Sequence, residues 1–178
     1  MKKKSTANEL LVALLFILLG VGLVYLTKND YNFYALLPLQ FIVILCGYYT
    51  SWSVSAVVGI ILPVITSLVF KMPDLWPELL YFSFELISAG VIVSLMYRKW
   101  NVNLHITLLT SLIISRVIKW FVMFLMVELG NVDINSYSNL IVYLRKSIGE
   151  GILGIAIQLA FIPLLVIIIN RLCGKKRY

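Results

Sequence analysis

Charged residues are scarce in this chain, and that scarcity sets its class. Asp, Glu, Lys and Arg make up only 13% of the 178 residues, against about 25% in soluble domains, whereas 61% are hydrophobic and the mean hydropathy is +0.98. The composition predicts an all-α membrane protein that faces the lipid bilayer. At about 20 residues per spanning helix, the length fits a single domain over residues 1–178, a bundle of six transmembrane helices, without an added soluble catalytic domain.

The chain is also poor in metal ligands and catalytic motifs. Its two cysteines, Cys46 and Cys173, are far apart in sequence, and with the single histidine, His105, they cannot furnish a Cys/His zinc set. The phosphate-loop, H-E-x-x-H and G-x-S-x-G motifs are absent from the sequence. We therefore expect no enzymatic activity, no metal and no cofactor, and any use of ATP must come from partner subunits.

Stretches with few charges locate the predicted spans, because ionisable groups are expelled from hydrocarbon unless they are paired or functional. The 40 uncharged residues between Asp30 and Lys71 fit two helices, with a break near residues 47–52. The longest connection, 129–149, contains an apolar segment, 140–144, that we expect to fold over the mouth of the bundle. The predicted spans are 10–27, two within 31–70, 77–97, 104–127 and 151–170.

The basic residues predict the orientation. Nine Lys and Arg residues flank the spans on the face that carries both termini, four flank them on the other face, and Arg116 and Lys119 lie inside a span. By the positive-inside rule both termini are cytoplasmic. The net charge of +7 then reflects flanks that meet anionic lipid, so it gives no reason to expect nucleic-acid binding.

Three ionisable side chains inside the spans are the main signal of a site: Glu85, Arg116 and Lys119. Each costs about 2.5 to 3.5 kcal/mol at a helix centre. Helical spacing places them on polar faces, at depths of about 9 to 18 Å from the outer ends of the spans, together with two glutamines. The residues predicted to line a pocket in the outer half are Gln40, Trp76, Tyr81, Glu85, Ser88, Arg116, Lys119, Trp120 and Gln158.

A purely structural role for the charges is the simpler interpretation. Glu85 can pair with Arg116 or Lys119 and hold two helices together. One carboxylate cannot satisfy both cations fully, however, and a remaining cation beside Gln40 and Gln158 favours a ligand site. Both roles are compatible. Trp76 lies in a connection bracketed by prolines, which we expect to aim its ring inward over that site.

The middle of the chain resembles a known family. The run 59–68, Met72-Pro73, Glu85-Leu86 with Gly90, Ser115-Arg116-Val117, and the segment 151–164 with Gln158 and Pro163 are similar to the substrate-binding (S) component of energy-coupling-factor (ECF) vitamin transporters. The resemblance covers residues 35–170 and includes the number of spans and the length.

The resemblance implies a function and partners. It implies a six-helix subunit in the plasma membrane of a prokaryote that binds a vitamin near the outer surface and docks on a transmembrane coupling subunit driven by two ATPases. Matched by position, Glu85, Arg116 and Gln158 would be pocket residues. The small residues of the first span, Ala13, Gly20 and Gly22, would contact the coupling subunit, in a degenerate version of the family's pattern.

The predicted pocket also favours a class of ligand. One acid, one or two cations, two amides and aromatic faces suit a small, flat, polar heterocycle of the vitamin B6 or hydroxymethylpyrimidine type. Pantothenate or nicotinate could use the same cations for a single carboxylate, so a carboxylate vitamin stays open.

A small multi-span membrane scaffold of the MreD-like type is the alternative function. It predicts no pocket in the outer half and gives no reason for Glu85, Lys119 and Gln158 to share one depth. An intramembrane enzyme is a third class, but it would need a nucleophile with a base or a metal set, and the sequence offers neither.

Overall fold

The described chain consists of helices joined by short connections. A computed structural model describes residues 6–27, 38–71, 73–128 and 140–172, and no strand occurs among them. A π-helical segment, Ser94–Lys99, directly continues the fourth helix. The helices are α1 (Thr6–Thr27), α2 (Pro38–Tyr49), α3 (Trp52–Phe70), α4 (Glu78–Val93), α5 (Leu104–Glu128) and α6 (Leu140–Leu172).

The prediction of a helical membrane protein is confirmed at the level of helix length and composition. Within the described residues, five stretches are long and apolar enough to cross a membrane, namely Asn8–Thr27, Trp52–Phe70, Glu78–Lys99, Leu104–Met126 and Gly154–Leu172. Helix α2 is apolar but has 12 residues, whereas a span needs about 20. The predicted break near 47–52 is confirmed, since α2 ends at Tyr49 and α3 begins at Trp52.

The last helix is longer than the sequence pattern indicates. The predicted sixth span begins at residue 151, whereas α6 begins at Leu140 and runs for 33 residues. The segment 140–144, expected as a separate element over the bundle mouth, is the start of this helix. Residues 140–153 contain no proline, so their sequence holds no strong helix breaker.

An ion pair joins helix ends that are distant in sequence. Near the start of α1, a carboxylate oxygen of Glu9 lies 3.0 Å from an Arg98 Nη2 in the π-helical segment. The other Glu9 oxygen accepts a hydrogen bond from the Ser51 backbone N–H, which lies between α2 and α3. These contacts bring Glu9, Ser51 and Arg98 to one end of the bundle, called here the Glu9 end.

Two tyrosines bring the remaining helices to the same end. The Tyr48 hydroxyl donates to the Leu104 carbonyl oxygen at the start of α5, and the Asn170 amide near the end of α6 donates to the Tyr97 hydroxyl. Successive helices from α2 to α5 therefore run in opposite directions, and α1 starts where α6 ends. The opposite end carries the α3–α4 connection, where the Ser67 hydroxyl donates to the Pro73 carbonyl oxygen, and is called the Pro73 end.

Helix α2 is the centre of the bundle. Nine of its residues are buried, and it contacts α1, α3, α4 and α6. A helix that is apolar on all sides is typical of the centre of a large protein or of a membrane span, and the burial of α2 is of the first kind. Gln40 is a polar residue in this otherwise largely apolar helix, and its side chain is as fully buried as the apolar ones around it.

Glycines allow helices to approach α4 closely. A Cβ atom on Gly47 of α2 would lie 2.7 Å from the Gly90 carbonyl oxygen, and one on Gly59 of α3 would lie 2.9 Å from the Ile87 backbone nitrogen. Close approach of backbones at small residues is a main source of helix association in membranes, where lipid competes for apolar surface. The positions of α2 and α3 against α4 therefore depend on these glycines.

The small residues of α1 divide between two faces. Ala13 is buried in the core, and a Cβ atom on Gly20 would lie 2.8 Å from a Leu62 methyl carbon, so both pack inside the bundle and offer no surface to another subunit. This corrects the expectation that both contact a coupling subunit. Gly22 is exposed and has no atom within 4 Å of its Cβ position.

The close crossing of α2 and α4 gives a first prediction. Gly47→Ala lowers the melting temperature of the detergent-purified protein by several degrees, because the added methyl group meets a backbone oxygen that cannot move aside. Overpacking of this kind costs about 1 to 3 kcal/mol. Gly22→Ala is the matched control and leaves the melting temperature unchanged. Thermal unfolding followed by tryptophan fluorescence measures both, and equal losses would contradict the crossing.

Candidate binding site at the buried ion cluster

Glu85 of α4 pairs with two cations of α5. Arg116 Nε lies 3.1 Å from one of its carboxylate oxygens and Lys119 Nζ lies 3.1 Å from the other, and the exposed fractions of the three side chains are 0% for Glu85, 11% for Arg116 and 8% for Lys119. The spacing of three residues puts both cations on the same side of α5. We call these three residues the ion cluster. The expectation that one cation would remain without a carboxylate contact is wrong, because each oxygen serves one cation.

The division of the carboxylate leaves part of Arg116 without an acceptor. A guanidinium normally meets a carboxylate with two parallel N–H groups. Here the second oxygen of Glu85 lies against Lys119, and Arg116 Nη2 is buried without a hydrogen-bond partner among the described residues. Neither oxygen of Glu85 makes an aligned hydrogen bond within that part of the chain. The three side chains are therefore held together by charge attraction rather than by aligned hydrogen bonds, and Arg116 Nη2 remains a donor without an acceptor in the described residues.

Aromatic rings hold Lys119 from its other side. Its Nζ lies 5.6 Å from the centre of the Tyr81 ring and 5.8 Å from that of Phe82, within the range of cation–π attraction. Tyr81 is buried with Met123 and Met126 between α4 and α5. Tyr81, which was predicted as a site residue from its spacing to Glu85, therefore contacts the ion cluster through Lys119.

A row of polar residues leads along the buried side of α5 to the ion cluster. Thr107, Ser111, Ser115 and Lys119 are spaced four residues apart, and all are buried. The Gln40 amide of α2 donates to the Ser115 hydroxyl at 3.4 Å, while Gln40 Oε1 has no partner within the described chain. None of the three hydroxyl residues of this row was among the predicted pocket residues, although their four-residue spacing ending on Lys119 is a signal that could have found them.

Gln158 of α6 lies at the level of Gln40. The Tyr49 hydroxyl of α2 donates to the Val166 carbonyl oxygen at 3.4 Å, and the two helices run in the same direction. Gln40 lies nine residues before Tyr49 and Gln158 eight before Val166, so at about 1.5 Å per residue their levels differ little. Gln158 is fully buried, and neither atom of its amide group has a partner in the described residues.

The structure does not bring every predicted residue to the cluster. Trp76 is 56% exposed in the α3–α4 connection, so its ring is not directed into the bundle as expected. The Ser88 hydroxyl donates to the Glu85 backbone oxygen of its own helix and is committed there. Trp120 is half-buried one turn beyond Arg116, and its indole N–H is buried without a described partner.

The uncommitted polar atoms of these residues define what the site can bind. The donors are Arg116 Nη2, Trp120 Nε1 and Gln158 Nε2, and the acceptors are Gln40 Oε1 and Gln158 Oε1. Buried polar groups are nearly always hydrogen-bonded, and leaving one unpaired costs about 1 to 3 kcal/mol. Such a set beside a buried ion cluster is typical of a site completed by a polar ligand. The other buried atoms without a hydrogen bond in the described residues are the two Glu85 oxygens and Arg116 Nε, which are in ion pairs, and one atom each on Ser55, Arg98 and Thr107, which lie elsewhere.

Comparison of the chain with protein-family models, characterised proteins and solved structures finds no significant match. The interpretation of the site therefore rests on its geometry and on the sequence pattern.

The ion cluster gives a second prediction. Glu85→Gln lowers the free energy of unfolding by about 3 to 5 kcal/mol, because two buried cations lose their counter-charge. The triple variant Glu85→Leu, Arg116→Leu, Lys119→Met recovers most of this loss, since no unpaired charge remains. Denaturant titration in detergent measures both. A triple variant that is less stable than Glu85→Gln would contradict the account of the cluster.

Proposed function

We propose that the protein is the substrate-binding S component of an ECF-type importer for a vitamin or vitamin precursor. In this proposal it binds its substrate within the plasma membrane of a prokaryote, and a coupling subunit with two ATPases drives transport. The sequence resemblance and the five apolar helices support it. One observation carries it furthest: buried donors and acceptors without partners in the described chain occur on Arg116 of the ion cluster, on Trp120 one turn away, and on Gln40 and Gln158.

The position of the cluster agrees with a substrate that arrives from outside. The Glu9 end carries basic residues Arg98, Lys99 and Arg171, so the positive-inside rule assigns it to the cytoplasm together with both termini. Glu85 lies seven residues from the start of α4 at the opposite end, a distance of about 10 Å along the helix. The proposed site is thus nearer the outer surface.

The roles of the site residues follow from their contacts. Both oxygens of Glu85 lie against cations, so Glu85 positions Arg116 and Lys119 and is not the group that receives the substrate. Arg116, Gln40, Gln158 and Trp120 supply the substrate contacts, because they have hydrogen-bonding atoms to spare. A small heterocycle of the vitamin B6 or hydroxymethylpyrimidine size has both kinds of complementary group.

The outer face of α1 supplies a surface for the coupling subunit. Leu11, Leu14, Leu15 and Leu18 are each more than half exposed, and Gly22 continues their face at helical spacing. In this proposal Gly22 contributes to the interface, whereas Ala13 and Gly20 serve the packing of the bundle.

The alternative, a membrane scaffold of the MreD-like type, has one observation in its favour. Glu85 makes two ion pairs inside its own chain, and these suffice to explain it as a link between α4 and α5. A scaffold gives no reason, however, for Gln40 and Gln158 to keep buried amide atoms uncommitted. The two functions therefore differ most clearly at Gln158.

A third prediction separates ligand binding from folding. Gln158→Leu abolishes binding of the substrate while the melting temperature of the free protein stays the same or rises, because an apolar side chain replaces a buried amide without partners. The probes are pyridoxine, hydroxymethylpyrimidine, pantothenate, nicotinate and the other water-soluble vitamins, tested by calorimetry on the purified subunit without ATP. Wild-type protein is expected to bind one of them tightly.

Asn170→Leu is the matched control. Asn170 lies on the same buried side of α6, but its amide donates to the Tyr97 hydroxyl, so its replacement lowers the melting temperature and spares binding. If wild-type protein binds no compound of the panel more tightly than millimolar, the proposed function is wrong. If Gln158→Leu and Asn170→Leu destabilise the protein equally, Gln158 is a structural residue.

A further inference from the structure

The charges of the ion cluster do not cancel. Glu85 carries one negative charge and Arg116 and Lys119 carry one positive charge each, which leaves one positive charge among three side chains that are at least 89% buried. No other acid forms an ion pair with the two cations in the described part of the chain. Glu78, at the start of α4, interacts electrostatically with Lys119 but is in no described ion pair with it, so the excess positive charge is felt mainly at Arg116, where a further negative group would be stabilising.

The excess charge belongs to Arg116 more than to Lys119. Lys119 contacts a Glu85 oxygen, faces the Tyr81 and Phe82 rings, and interacts electrostatically with Glu78 at the start of α4. Among the described residues, Arg116 forms an ion pair with Glu85 through its Nε, and its buried Nη2 is without an acceptor. An incoming negative group is therefore drawn to the guanidinium.

Two buried glutamines supply neutral hydrogen-bonding groups on the helices α2 and α6. Ser115, the residue before Arg116, receives the Gln40 amide, which keeps Gln40 Oε1 beside α5 and uncommitted. Gln158 adds one donor and one acceptor at the same level, and both glutamines are fully buried. The set contains no second cation free to bind, so it complements one negative charge and several neutral polar groups.

We propose that the ligand of this site is a monoanion, a vitamin-sized monocarboxylate, whose carboxylate binds Arg116 and whose neutral polar groups bind Gln40 and Gln158. The inference rests on the proposed function and narrows it to acids such as nicotinate or pantothenate, in preference to neutral pyridoxine or hydroxymethylpyrimidine. A monoanion brings the summed charge of Glu85, Arg116, Lys119 and the ligand to zero. A neutral ligand leaves it at one positive charge, and a dianionic phosphate ester reverses it.

Pairs of ligands test this inference, in which one member carries a carboxylate and the other carries a neutral polar group at the same position. Nicotinate is compared with nicotinamide, pantothenate with pantothenol, and pyridoxate with pyridoxine, by calorimetry on the wild-type subunit near neutral pH. At least one acid is expected to bind about tenfold or more tightly than its neutral partner, as a charge-assisted hydrogen bond in a desolvated site requires. The comparison needs no variant, so a failure to fold cannot obscure it.

Two variants locate the charge. Arg116→Gln abolishes the preference for the acid over its neutral partner, whereas Arg116→Lys keeps the charge and part of the preference. Melting temperatures confirm that both variants are folded. If a neutral compound binds tightly and no acid binds more tightly than its neutral partner, the monoanion inference is overturned and the proposed function stands. If no compound of either set binds, the proposed function itself is contradicted.

Discussion

The position of one carboxylate within apolar helices is the constraint on which the structure depends. Glu85 is fully buried, so it needs positive charge nearby, and α5 supplies two cations one turn apart. If α4 and α5 were separated, these charges would be unpaired in a medium of low dielectric constant. The ion cluster therefore fixes the rotation of α5 against α4, and with it the side of α5 that carries Ser115 and Arg116 toward the centre of the bundle.

The glycines of α2 and α3 complete this arrangement. Gly47 and Gly59 let their helices approach α4 at backbone contact, which brings Gln40 of α2 within reach of Ser115. In a bundle with larger residues at these crossings, the helices would stand farther apart and the glutamine would not meet α5. Close packing and ion pairing thus together concentrate hydrogen-bonding atoms in one region, and that concentration is the basis for proposing a ligand.

Sequence reasoning succeeded where a single physical rule decides the outcome. Hydropathy and charge located the five apolar helices, and the rarity of ionisable groups in hydrocarbon identified Glu85 and its two partners. It failed where the outcome depends on three-dimensional packing. Periodicity gave no sign of which side of α1 buries Gly20, and the prolines around Trp76 limit the backbone without setting the direction of the ring. The sharing of Glu85 between two cations also depends on distances that spacing along one helix does not determine.

A high-resolution structure of the subunit purified from its native membrane, without added ligand, tests the central claim most directly. The account predicts density for a small molecule between α2, α5 and α6, within hydrogen-bonding distance of Arg116 Nη2 and of the Gln158 amide. The claim is contradicted if those atoms are hydrogen-bonded to groups of the protein itself and no molecule lies between the three helices.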